Sequence, residues 1–161
     1  MTSQEKTNLA LAEKVMEELM TETIATFFRL RAMGQQIGAV TPNGSGYWGL
    51  MRSLKQEGAQ TVPQLARSRP VSRQHIQKLA NNMIAEGVIE LVHNPAHKRS
   101  KLLRLTSKGE TVFQELNQQI AKVAINLAED MDVQELQIAV KVLKQIREKL
   151  KDIPSDSEYI D

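Results

Sequence analysis

Two helix-start signals with a proline between them constrain this chain more than any other feature. Thr61 and Gln64 form a capping box: the hydroxyl takes a free backbone N–H of the first turn and the amide reaches back to the cap. Ser72 is a second N-cap residue. Pro70 lies between, lacks an N–H and disfavours helical geometry at Arg69, so the first helix must be short. Beyond Ser72, at about 100° per residue, Ile76, Leu79 and Met83 share one helical face. Arg73, Gln74, Gln77, Lys78 and Asn81 fall on the opposite face.

Gly87 ends that second helix, and Val88-Ile89-Glu90-Leu91-Val92 reads as a strand. Asn94-Pro95 signals a turn, Lys101 to Thr106 reads as the return strand, and the loop between carries His97, Lys98 and Arg99. From Thr61 to Gly109 the pattern is therefore a winged helix-turn-helix. Such a unit lays its second helix in the DNA major groove and its basic hairpin against the backbone or minor groove.

The flanks are helical. Val15, Met16, Leu19, Met20, Ile24, Phe27, Leu30 and Met33 recur at three- and four-residue spacing, which predicts an amphipathic helix over Thr7–Gln36. Gly34, Gly38, Pro42, Gly44 and Gly46 then break the pattern. Tyr47, Leu50, Met51 and Leu54 stripe a shorter helix stopped by Gly58. Ser107 with Glu110 makes a capping box for a long helix striped by Phe113, Leu116, Ile120, Val123 and Leu127. Asp132 with Glu135 does the same for a last helix striped by Leu136, Val140, Leu143, Ile146 and Leu150, closed by Pro154 and an acidic tail. The expected fold is mainly α with a minor β part, divided into residues 1–44, 45–109 and 110–161. The middle segment is the DNA-binding lobe, and the outer two carry apolar stripes that ask for burial.

Charge follows the same division. The whole chain has 21 Lys+Arg against 19 Asp+Glu, which says little. Residues 45–109 hold eleven basic and three acidic side chains, whereas both flanks are net acidic. A solvated charged face is the alternative reading, but coincidence with the helix-turn-helix favours double-stranded DNA as partner. Arg73, Gln74 and Gln77 are the candidates for base contact, since Arg matches guanine and Gln matches adenine through paired hydrogen bonds. Lys78 and Ser72 suit phosphate, and Lys98 and Arg99 on the wing suit phosphate or the narrow minor groove. His75 lies at the edge of the polar face, where packing or a phosphate contact is expected.

With no cysteine, disulfides, thiolate catalysis and cysteine-based redox sensing are excluded. The three histidines all lie in the DNA-binding lobe without a carboxylate pair, so no catalytic residue, metal ligand or cofactor is assigned. No apolar run suits a membrane span and the N-terminus lacks a signal-peptide core, so a soluble, cytoplasmic protein is expected.

The order of elements, with TVPQLA, VSRQHIQKLANNMIAEGVIE and HKRSKLLRLTSKG, resembles the MarR family of bacterial transcriptional regulators. Members commonly carry Asp-x-Arg at the wing and an LT-x-x-G close. Arg99, Leu105, Thr106 and Gly109 match, whereas His97 stands in the Asp position and a wing-bracing carboxylate is missing there. The resemblance implies a homodimer built from long N- and C-terminal dimerisation helices, presenting two recognition helices to a pseudo-palindromic operator. It also implies a ligand-responsive repressor, with a small aromatic or anionic effector in a cleft that Phe27, Arg31, Tyr47, Trp48 and Met51 would line. A winged-helix protein–protein module, or a non-specific chromosome-binding protein, is the other reading of the same residues.

Overall fold

A computed structural model of the chain describes residues 2–40, 46–67, 71–97 and 99–151. It forms two compact units, residues 1–119 and 120–161. The first contains α1 (Ser3–Gln36), α2 (Tyr47–Glu57), α3 (Val62–Arg67), α4 (Arg73–Ala85), β1 (Ile89–Val92), β2 (Leu102–Leu105) and the start of α5 (Ser107–Ala128). The second contains the end of α5 and α6 (Val133–Lys151). The mainly helical winged helix-turn-helix expected from the sequence is present. Among the described residues no helix is long and apolar enough to cross a membrane.

Local capping explains most boundaries. At α3 the Thr61 hydroxyl accepts the Gln64 N–H (3.3 Å) while the Gln64 amide oxygen accepts the Thr61 N–H (2.8 Å), so the capping box forms as expected. Asp132 Oδ1 accepts the Gln134 and Glu135 N–H groups at the start of α6. Helix α1 starts earlier than the periodicity predicts, because Thr2 and Glu5 make a further capping box ahead of the apolar stripe. The Pro70 break, the wing residue Lys98 and the closing Pro154 lie outside the described residues.

One expected cap is displaced. At the start of α5 the hydroxyl of Thr106, not Ser107, accepts the Gly109 N–H (3.0 Å) and donates to the Gly87 carbonyl (2.7 Å). Glu110, expected to close a box with Ser107, instead meets Lys55 of α2 at 2.6 Å. A long-range partner outcompetes the local one.

The core of the first unit lies among α2, α3, α4, the hairpin and the start of α5. Leu50, Met51, Leu65, Ile76, Met83, Ile89 and Leu103 are fully buried. Each such side chain contributes roughly 1.5–3 kcal/mol through burial. Helix α4 ends in a Schellman motif: Gly87 takes φ 71°, the Val88 N–H donates to Met83 O (3.0 Å) and the Gly87 N–H to Ile84 O (2.9 Å). Val88 and Met83 are both buried beneath it.

The apolar stripes of the long helices meet a different fate. Phe113 and Leu116 enter the core, and Ile120 and Val123 are partly covered. Along α1, Val15, Met20, Ile24 and Phe27 remain more than half exposed. In the second unit Ile125, Ile138, Val140, Leu143 and Leu150 are exposed as well.

Candidate nucleic-acid interface

Helix α4 is held at its N-terminus by Ser72, whose hydroxyl accepts the His75 N–H (3.1 Å) and whose carbonyl accepts the Ile76 N–H (3.2 Å). Its inner face, Ile76, Leu79, Ala80 and Met83, is buried. Arg73, Gln74, Gln77, Lys78 and Asn81 are all exposed, as the helical periodicity requires. With Val62 and Pro63 of α3 these five line one open groove. His75, placed at the edge of the polar face, is exposed. Asn81, absent from the predicted contacts, accepts a hydrogen bond from Gln77 Nε2 (2.9 Å). Among the described residues nothing engages the other side-chain N–H or the side-chain carbonyl oxygen of Gln77, the pair that an adenine edge would need.

The wing is an antiparallel hairpin in which Glu90 faces Arg104 and Ile89 faces Leu105. Arg104 donates from Nε (3.1 Å) and Nη2 (2.7 Å) to Glu90 Oε1. Both groups are well exposed, so the pair is worth about 0–1 kcal/mol. At the turn, buried Asn94 accepts the Ala96 N–H on its side-chain oxygen (3.0 Å) and the His97 N–H on its carbonyl (3.2 Å). The hairpin therefore has bracing of its own although His97 replaces the carboxylate. Gln60 adds a further rung: its N–H donates to Leu103 O (3.1 Å) and its carbonyl accepts the Leu103 N–H (2.7 Å). No local signal in the sequence marks Gln60 as a sheet partner, because Leu103 lies far along the chain.

The basic cluster of residues 45–109 divides in two. Lys55 pairs with Glu110, Arg104 pairs with Glu90, and Lys108 donates to the Glu86 carbonyl (2.7 Å). Arg52 stacks over the Trp48 ring, 5.1 Å from its centre. Among the described residues Arg67, Arg73, Lys78, Arg99 and Lys101 have no carboxylate partner, and all five are exposed. The cations tied up internally hold the lobe together; the untied ones include Arg73, Lys78 and Arg99, three of those singled out for DNA.

Residues proposed to line an effector cleft are treated unequally. Met51 is fully buried beside Leu50 and Leu54 on the inner face of α2, so it lines no open cleft in this conformation. Trp48 Nε1 donates to Asn117 Oδ1 of α5 (2.7 Å). The Tyr47 hydroxyl donates to Glu86 Oε1 (2.7 Å), and burial together with that carboxylate pushes its pKa upward. Phe27 is exposed and packs edge-on against Phe28, with ring centres 5.5 Å apart; Arg31 is partly covered.

Residues 40–100 match the model of the MarR family. An uncharacterized protein of Mycobacterium tuberculosis is 34% identical over 140 residues, spanning 84% of this chain and 97% of that protein. The uncharacterized HTH-type transcriptional regulator YdgG of Bacillus subtilis is 25% identical over 104 residues, 63% of this chain and 68% of that one. Among solved structures, Staphylococcus aureus MarR in complex with salicylate and kanamycin superimposes with a TM-score of 0.74 at 20% identity, covering 89% of this chain and 98% of that chain.

Proposed function

We propose that this chain, which belongs to the MarR family, is a sequence-specific regulator that binds double-stranded DNA as a homodimer on a pseudo-palindromic operator. One observation carries the reading: the exposed face of α4 is made of Arg73, Gln74, Gln77, Lys78 and Asn81, backed by a fully apolar inner face. Arg73, Gln74 and Gln77 read base edges, while Ser72 and Lys78 position the helix on phosphate. Arg99, with Lys98 beside it in sequence, contacts the backbone or minor groove. Residues 45–109 form the DNA-binding lobe, and residues 1–44 and 110–161 supply the dimer interface, which buries the apolar residues left exposed on α1 and α6. Half-sites then lie about one DNA turn apart.

A gel-shift assay against pseudo-palindromes selected from random DNA tests this directly. Arg73→Ala and Gln77→Ala should each cost about 1–3 kcal/mol of discrimination and relax preference at one position per half-site. Unaltered sequence preference in both variants would sink the assignment. Wild-type protein that selects no sequence would favour the non-specific or protein-binding alternative.

Salt gives an independent check. If three of the untied cations in each protomer meet phosphate, log affinity should fall with log salt at a slope of about −5. A flat response would contradict the surface described above.

Regulation is read as repression relieved by a small aromatic or anionic ligand. The salicylate in the S. aureus MarR complex supports that chemistry. Phe27, Arg31, Tyr47 and Trp48 remain candidates for contact; Met51 would join them only if α2 moved. A ligand acts here by preferring a dimer shape whose recognition helices no longer fit the half-sites, and only differential affinity for the two shapes achieves it.

A further inference from the structure

We propose that Tyr47 is a positioning residue for the recognition helix: its hydroxyl, bonded to the Glu86 carboxylate, ties the end of α4 to α2 and so sets the pose in which α4 meets DNA. The inference rests on the DNA-binding reading above and deepens it. Glu86 is the C-cap of α4, thirty-nine residues from Tyr47 in sequence. Among the described residues three side chains hydrogen-bond to this helix end. Thr106 donates to the Gly87 carbonyl and Lys108 to the Glu86 carbonyl, each at 2.7 Å, and both belong to the segment where β2 passes into α5. Tyr47 supplies the tie to α2. A helix pinned from one side can still tilt; a tie from a second element removes that freedom.

The geometry amplifies small changes. Helix α4 has 13 residues, about 20 Å at 1.5 Å per residue. A tilt of roughly 5° about its C-terminal end would displace the Arg73 end by nearly 2 Å. That exceeds what a bidentate base contact tolerates. The tie is also a steady one, since burial and the facing carboxylate keep the phenol protonated and donating. Next to it, Trp48 joins the same turn of α2 to α5 through Asn117, so the anchor is itself anchored.

Full-length Tyr47→Phe protein, which keeps the ring and loses the hydroxyl, tests the role on an operator selected with wild-type protein. Operator affinity should fall about tenfold, as for loss of a hydrogen bond to a charged group. Affinity for random duplex DNA should stay unchanged, because that binding is electrostatic and tolerates a misplaced helix. Glu86→Gln keeps a neutral acceptor and should retain most of the operator affinity, losing less than Tyr47→Phe. Glu86→Ala should behave like Tyr47→Phe, and combining the two should add little. The emission of Trp48, the single tryptophan, should match wild type in Tyr47→Phe and so report an intact α2 junction. Equal losses on operator and random DNA would mean a merely structural role and overturn the proposal, as would wild-type operator affinity in Tyr47→Phe. Failure of the wild-type protein to prefer any sequence is a different result, and it removes the DNA-binding reading first.

Discussion

Gly109→Ala should unfold the lobe's hairpin junction at a lower temperature than any other single-methyl change in it. A Cβ at Gly109 would lie 2.9 Å from the Val88 carbonyl carbon, closer still to its oxygen, and 3.2 Å from Leu105 Cδ2. The obstacle is backbone, which cannot rotate away. Moreover, Val88 O accepts the Thr106 N–H (3.1 Å), so relief would break a rung as well. We expect a loss of about 3 kcal/mol or more, equivalent to a fall in Tm of roughly 6–12 °C for a chain of this size. Gly49→Ala is the control. A Cβ there meets nothing within 4 Å, and alanine in a helix interior gains up to about 1 kcal/mol over glycine. Melts of both variants at one protein concentration decide the matter, and equal Tm values would refute the tight approach. The same contact gives the LT-x-x-G close a physical meaning. Leu105 fills the core, Thr106 caps α5, and Gly109 lets the first turn of α5 pass against the Val88 carbonyl.

Leu143→Glu should dissociate the proposed homodimer. In the isolated chain Leu143 is 44% exposed, so a carboxylate there costs the fold little. In a symmetric interface the change is made twice. Burying a leucine contributes roughly 1.5–3 kcal/mol, so losing two weakens the dimer by about 3–6 kcal/mol, or two to four decades in dissociation constant. Light scattering on a sizing column would read it as a shift toward monomer, with operator binding lost at the same concentrations. Deleting residues 131–161 should go further, to monomer or aggregate. A soluble, monodisperse deletion that still bound operator would contradict the proposed use of these helices.

The elements themselves were legible from residues alone. Caps and apolar periodicity act over three or four positions, so Thr61 with Gln64, Ser72, Asp132 and the α4 face could be read without knowing what lay opposite. The arginine, glutamines and lysine on the polar side of α4 were found by the same arithmetic, since a helix with one buried face must expose the other. Side chains whose partners come from distant segments were not legible in this way. Glu110 looked like half of a capping box and is an ion-pair partner of Lys55; Met51 looked like a cleft residue and is core. Tyr47 meets Glu86, and Gln60 joins β2, only because folding brings those backbones together. Short-range backbone chemistry thus decided where helices and strands begin and end. Which polar and charged groups are spent holding them, and which stay free for a partner, was decided by packing, because that depends on distances the linear order does not encode.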